Sequence, residues 1–310
     1  MNVCFLGAGS MAEEHIKAFR SIPNVILAGI HSRTIPKAQY LAEKYSISKV
    51  YTTIEEMYTA SQATLLIIAV SELSVKEVCL LAFKYPWVCL VEKPAGINLA
   101  EAEIIEHEAR KNKRKVFVAL NRRQFSSTFS VINDLANSKE QRLIHVYDQE
   151  NPKAASALGR PELVVQNWMY ANSIHLIDYF AFLGRGEIIS VEPIIRWNPL
   201  NPMFVASKII FSSGDIGIYE AVWNAPGPWG VTVTTRSKRW ELRPLEKAAF
   251  QVYGSRQLEY FEVSQWDINF KPGFRAQADE AIKAVKGLKH NLANIEVALE
   301  TMRLVNKIYA

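Results

Sequence analysis

Through its first 120 residues the chain alternates short, almost wholly apolar runs with longer stretches of helical periodicity. The apolar runs at 3–6, 24–30, 64–69, 87–91 and 116–120 predict strands, with a shorter one at 50–51. The periodic stretches at 11–20, 36–45, from Thr53 onward, 75–84 and 99–111 predict helices. Thr53 with Glu56 three residues on has capping-box spacing, and Asn98 introduces the helix at 99–111. Strands apolar at every position and separated by helices predict a parallel sheet covered on both faces. Further on, 125–137 reads as a helix, 142–149 as a strand, 151–166 as a loop near the site entrance and 167–180 as a helix. From 187 to 263 the pattern becomes one of strands with polar breaks: 187–197, 204–211, 216–223, 231–235, 239–242, 248–253 and 258–263. No helical pattern interrupts that span, so its sheet is expected to be antiparallel, with a free face suited to subunit contact. Helices at 276–286 and 294–309 close the chain, the last with Ile295, Ala298, Leu299, Met302, Val305 and Ile308 on one side.

The expected class is therefore α/β: a doubly wound parallel sheet in 1–121, then an α/β domain with an open, mainly antiparallel sheet in 122–310. At 310 residues the chain exceeds the size at which one core stops growing, which agrees with two domains. The net charge of +5 suits an anionic small ligand, but no dense basic run points to nucleic acid. Cys4, Cys79 and Cys89 each sit in an apolar segment, as reduced thiols of a cytoplasmic protein would, and no metal-ligand spacing is present. No apolar stretch reaches the ~20 residues that a membrane span needs, and the sequence opens on a strand rather than a signal peptide.

Ligands of such sheets lie beyond the carboxyl ends of the strands, so the residues just after each strand carry the chemistry. After the first strand comes Gly7-Ala8-Gly9-Ser10-Met11-Ala12, a G-x-G-x-x-A spacing between strand and helix. Gly7 permits the tight turn, Gly9 lets a pyrophosphate approach the backbone, and Ala12 lets the helix pack closely. Ser10 and Met11 open the helix whose N–H groups would take phosphate. After the second strand, His31-Ser32-Arg33-Thr34 lacks the acidic residue that holds an NAD ribose. Ser32, Arg33 and Thr34 could instead hold a 2′-phosphate, which favours NADP over NAD. Ala69, Val70 and Ser71, after the strand at 64–69, are small enough to admit a ribose or to make a plain turn. After the strand at 87–91, Glu92-Lys93-Pro94 places a lysine at the sheet edge. Between apolar walls and a positive nicotinamide its ammonium form would be disfavoured, equipping it for proton transfer. On 167–180, Asn172, His175 and Asp178 form a polar stripe on an apolar helix, expected to face a cleft.

Together these segments resemble a known group. Gly7 to Ala12 with His15, Glu92-Lys93-Pro94, Asn121-Arg122-Arg123 and His175-Leu176-Ile177-Asp178 are similar, in order and spacing, to the glucose–fructose oxidoreductase, inositol dehydrogenase and rhizopine-catabolism (Gfo/Idh/MocA) oxidoreductases. The resemblance implies a Rossmann domain binding NADP or NAD through Gly7, Gly9, Ser10, Met11, Ser32, Arg33, Thr34, Ala69, Val70, Ser71, Glu92 and Lys93. It implies hydride transfer at a carbon of a sugar, nucleotide-sugar or cyclitol, with Lys93 and His175 catalytic. Lys93, Arg122, Trp168, Asn172, His175 and Asp178 would bind substrate, and the open sheet would build a homodimer or homotetramer. Many relatives carry an aspartate four residues before the histidine, where this chain has Ala171. Pro244-Leu245-Glu246 and Lys271-Pro272-Gly273-Phe274 look similar to a subgroup linked with surface-polysaccharide sugars. A non-catalytic dinucleotide-sensing regulator, or a reductase of a non-sugar carbonyl, are the competing readings.

Overall fold

The computed structural model describes residues 1–310 and divides into two compact units. The first comprises Met1–Gln124 and Trp266–Leu299; the second comprises Phe125–Gln265 and Glu300–Ala310.

In the first unit β1 (Asn2–Leu6), β2 (Ile26–His31), β3 (Leu65–Ile68), β4 (Val88–Glu92) and β5 (Val116–Ala119) form a parallel sheet. Between them run α1 (Ser10–Arg20), α2 (Ile35–Tyr45), α3 (Ile54–Ser61), α4 (Val75–Ala82) and α5 (Leu99–Lys111). Two of the expected caps form: Thr53 and Asn98 accept from the N–H groups of Glu56 and Glu101. The short strand expected at 50–51 is only a single parallel bridge from Val50 to Ile30. The strand order β5-β4-β3-β1-β2 reverses at β1, the switch point where such sheets bind ligands.

After α6 (Ser126–Leu135), the second unit has an eight-stranded sheet. In chain order its strands are β6 (Leu143–Glu150), β7 (Ile188–Ile195), β8 (Phe204–Phe211), β9 (Ile216–Trp223), β10 (Gly230–Thr234), β11 (Lys238–Leu242), β12 (Ala248–Val252) and β13 (Glu259–Tyr260). All neighbouring pairs are antiparallel except β6 with β9, which run parallel over residues 143–150 and 216–223. The neighbouring pairs formed within 187–263 are all antiparallel, as expected of a mainly antiparallel sheet; the one parallel pair arises because β6 precedes that span and enters the middle of the sheet. The expected loop at 151–166 instead holds α7 (Pro152–Ala157) and α8 (Glu162–Gln166); the Asn151 side chain caps α7 by accepting from the Ala154 N–H at 2.9 Å. One π-helical turn, Met169–Ser173, precedes α9 (Ile174–Leu183).

The chain does not divide at 121/122 into two continuous domains. Residues 266–299, with α10 (Gln265–Asn269) at their start, α11 (Phe274–Val285) and β14 (Ala293–Asn294), belong to the first unit. β14 pairs antiparallel with β5. Phe274, Ala278 and Ala281 of α11 share one core with Phe5, Ile16, Phe19 and Leu90. The reason is the hydrophobic effect: each fully buried Phe or Leu contributes roughly 1.5–3 kcal/mol, and this apolar face fills the side of the sheet beside α1. The last helix, α12 (Ile295–Tyr309), starts in the first unit and ends in the second. No helix is long and apolar enough to cross a membrane.

Candidate functional site

At the end of β1, Gly7 turns the chain at φ +106°. A Cβ there would lie 2.1 Å from the Ala69 carbonyl oxygen, so only glycine fits. The Gly7 N–H donates to His31 O and the Ala69 N–H to Leu6 O, both at 2.8 Å. These bonds tie the ends of β1, β2 and β3 together. The sequence-predicted cofactor residues Gly7, Gly9, Ser10, Met11, Ser32, Arg33, Thr34, Ala69, Val70 and Ser71 therefore share one carboxyl edge. Gly9 differs from Gly7: a Cβ on it would meet nothing within 4 Å, so its backbone is open to an approaching group. The first turn of α1 has no side-chain cap, leaving N–H groups and the positive dipole end for an anion. An open glycine at an uncapped helix start fits a dinucleotide pyrophosphate. Arg33 and Thr34 are exposed, and Ser32 Oγ accepts from the Thr34 N–H at 3.3 Å.

Two strands along the same edge, Glu92 ends β4 and Lys93 follows it. His15 of α1 is fully buried, and its Nε2 lies 2.8 Å from Glu92 Oε1. The Phe274 ring packs on the imidazole at 4.7 Å, and His15 Nδ1 has no partner. Lys93 is half-buried, while Pro94 to Ile97 are buried. The Lys93–Pro94 peptide is cis. Gly96 (φ +115°) brings this loop against α5, where a Cβ would come within 2.5 Å of the Ala102 nitrogen. Arg122 stands half-buried in the 3₁₀ turn Asn121–Gln124 after β5.

The second unit carries a different kind of site. Glu150, the last residue of β6, is completely buried. It accepts from Trp168 Nε1 at 2.5 Å, from Asn172 Nδ2 at 2.8 and 3.1 Å, and from Ser173 Oγ at 3.1 Å. Asp148, two residues earlier and so on the same face of β6, accepts from Tyr219 Oη at 2.7 Å and Trp229 Nε1 at 2.6 Å. Tyr219 Oη lies 2.8 Å from Tyr309 Oη, which lies 3.3 Å from Ser173 Oγ. Burial first, and then the Asp148 carboxylate, push the Glu150 carboxyl well above its ordinary range. The π turn carrying Asn172 is thus bolted to the buried Glu150 carboxyl, and such turns are frequent at functional sites.

Of the predicted substrate residues in this unit, Trp168, Asn172 and His175 sit on or beside the π turn. His175 is buried, and its Nδ1 has no hydrogen-bond partner. Asp178 is not brought to the same surface: it is 2% exposed and accepts from Thr301 Oγ1 at 2.9 Å. A helix advances about 100° per residue, so each step of three falls about 60° short of a full turn and carries the stripe sideways. No aspartate stands at 171, but Glu150 brings a carboxylate to the adjacent Asn172 from β6. Sequence reasoning missed Asp148, Glu150 and the His15–Glu92 pair. One signal was available: β6 alternates, and its interior positions run Ile144, Val146, Asp148, Glu150. Two carboxylates at core positions require partners.

The molecule matches known proteins in both sequence and fold. Residues 1–120 match the GFO_IDH_MocA model, described as an oxidoreductase family with an NAD-binding Rossmann fold. The chain is similar to a 4-carboxy-2-hydroxymuconate-6-semialdehyde dehydrogenase of Sphingobium sp., 20% identical over 99% of this chain and 98% of the relative. It is 26% identical to the glucose-6-phosphate 3-dehydrogenase of Bacillus subtilis over 62% of this chain and 56% of that protein. A solved UDP-N-acetylglucosamine 3-dehydrogenase, GnnA of Acidithiobacillus ferrooxidans, shares the fold with a TM-score of 0.78 at 12% identity. That match covers 99% of this chain and 96% of the other. The match of residues 1–120 to an oxidoreductase family with an NAD-binding Rossmann fold takes in the glycine turn and Glu92-Lys93-Pro94.

Proposed function

We propose that this protein transfers hydride between a nicotinamide dinucleotide and a carbon of a sugar, nucleotide-sugar or cyclitol. The observation that carries the reading is the placement of Lys93 and the glycine turn on one edge of one sheet. β3 alone separates β4 from β1, so two strand spacings of about 4.8 Å put them roughly 10 Å apart, a span that a dinucleotide covers. Bound there, the nicotinamide would supply the hydride donor or acceptor. Gly9, Ser10 and Met11 bind the pyrophosphate through backbone N–H groups. Lys93 contacts the reacting oxygen and exchanges its proton, with His175 as the assisting acid–base group. Asn172, Trp168 and Arg122 contact the substrate. The relatives support the substrate class, since two of the three act on sugar derivatives by name.

Arg33, exposed, with Ser32 and Thr34 beside it and no carboxylate after β2, favours NADP. Arg33→Ala is expected to weaken NADPH binding about tenfold and leave NADH unchanged, because a charge-assisted bond to phosphate is worth ~1.5–3 kcal/mol. The outer face of the eight-stranded sheet exposes Leu143 and Phe204, and edge strand β7 exposes Ile189 and Ile194, in keeping with a homodimer or homotetramer built on this sheet. A second reading follows from the Sphingobium relative, which spans the full chain and acts on a carboxylated semialdehyde: a non-sugar carbonyl as substrate.

The test is nicotinamide absorbance with purified protein, NADPH or NADH, and a panel of keto-sugars beside carboxylated semialdehydes. Turnover of a keto-sugar is expected, and turnover of the semialdehydes alone selects the second reading. Lys93→Met should lower turnover by about 10²–10⁴-fold, the usual worth of positioned proton transfer, while dinucleotide affinity holds. Unchanged turnover in that variant removes Lys93 from the chemistry. A protein that binds neither dinucleotide sinks the whole reading.

A further inference from the structure

Lys271 lies in the turn that opens α11, 260 residues along the chain from the glycine-rich loop. Its Nζ donates to Met11 Sδ at 3.3 Å and sits 5.5 Å from the centre of the Phe274 ring. The turn holding it is fixed by three bonds. Asn121 Nδ2 donates to Pro272 O at 3.0 Å, the Gly273 N–H donates to Asp267 Oδ1 at 2.8 Å, and the Phe274 N–H donates to Lys271 O at 3.0 Å. The side chain is exposed, and its hydrogen-bond partner is a thioether, a weak acceptor, rather than a carboxylate. The acidic side chains of α1 are taken by other cations: Glu13 by Lys44 at 2.9 Å and Glu14 by Lys17 at 2.7 Å. An ammonium without an anion therefore stands on a fixed turn against Met11, the residue two after the open Gly9.

We propose that Lys271 is a binding residue for the pyrophosphate of the dinucleotide, supplied to the glycine turn by the segment that returns to the first unit. The proposal rests on the dinucleotide reading above. The start of α1 offers only about half an elementary charge, and partial charges alone leave a doubly negative pyrophosphate under-compensated. A full positive charge at the same place corrects this, and three rotatable donors suit it to phosphate oxygens. The 2′-phosphate of NADPH and the pyrophosphate are then held by different cations, Arg33 the former and Lys271 the latter. Lys271 thus serves NADH and NADPH alike.

Calorimetric titration of the full chain with NADH, NADPH, ADP-ribose and adenosine tests the idea. Lys271→Gln is expected to weaken NADH, NADPH and ADP-ribose about tenfold each and to leave adenosine, which has no phosphate, unchanged. Lys271→Arg should restore binding to within about threefold of the original, and added salt should weaken the original protein more than the glutamine variant. Equal affinities of Lys271→Gln and the original for ADP-ribose overturn the proposal. So does an equal loss for adenosine, which would mark a structural role. If the unaltered protein binds none of NADH, NADPH and ADP-ribose, it is the dinucleotide reading that fails.

Discussion

The two units build their sites from opposite materials. In the first, β1, β3, β4 and β5 are almost wholly apolar and buried, and what the sheet offers at its edge is largely backbone: an uncapped helix start, a glycine with open space, a loop on Lys93. In the second, the strands alternate, and the interior face of β6 spends two of its positions on carboxylates that gather tryptophan, tyrosine, serine and asparagine donors. A backbone site tolerates many side chains but few changes at glycine. A side-chain network tolerates few changes anywhere, because each removed partner leaves a buried polar atom unsatisfied.

The contrast breaks most sharply at the two glycines. Gly9→Val should abolish dinucleotide binding, by about 100-fold or more in affinity, while thermal unfolding stays within a few degrees, since a Cβ there meets nothing in the free protein. Gly7→Val should instead destabilise the fold by about 3 kcal/mol or more, because its φ is positive and its Cβ would strike Ala69. If both variants unfold alike, Gly9 is structural and the distinction falls.

Next comes the carboxyl network. Glu150→Ala leaves the donors of Trp168, Asn172 and Ser173 without an acceptor and should cost about 2–4 kcal/mol in denaturant unfolding. Glu150→Gln keeps the shape and reports on pH. In the fold the carboxyl is held above the 4.5 that an unfolded chain shows, so the folded state keeps a proton that the unfolded chain releases. Stability contributed by this group is therefore lost as pH rises from about 4.5 through the raised value. Melting curves from acid to neutral pH should show the original protein losing ground against Glu150→Gln. A constant difference would mean that Glu150 is ionised in the fold.

The smallest effect belongs to the first unit's apolar interior. Burial pushes the thiols of Cys4 up to about 11 and Cys89 up to about 12, and Cys79 is also buried. An aromatic disulfide reagent should find no reactive thiol until denaturant is added. Rapid reaction of the native protein would show that these strands open.

The parallel sheet, the glycine turn and the Glu92-Lys93-Pro94 edge were legible because each is written in contiguous residues: apolar runs for buried strands, glycine where the backbone must turn or be approached. The same locality made most strands of the second unit readable from alternation alone. The π turn was not readable, because one extra residue in a helical turn leaves no mark in a periodicity averaged over several turns. What the sequence by itself determined is therefore the order and type of elements, and a nucleotide-binding edge built of backbone. Only the tertiary structure decided that α11 and β14 return to the first unit, bringing Lys271 to Met11 and Phe274 to His15. It alone decided that Glu150 reaches Asn172 from β6 while Asp178 pairs with Thr301. The physical reason is range. Propensity and periodicity act over a few residues, whereas which apolar faces share a core, and which buried carboxylate meets which donor, is settled by contacts between segments far apart in the chain.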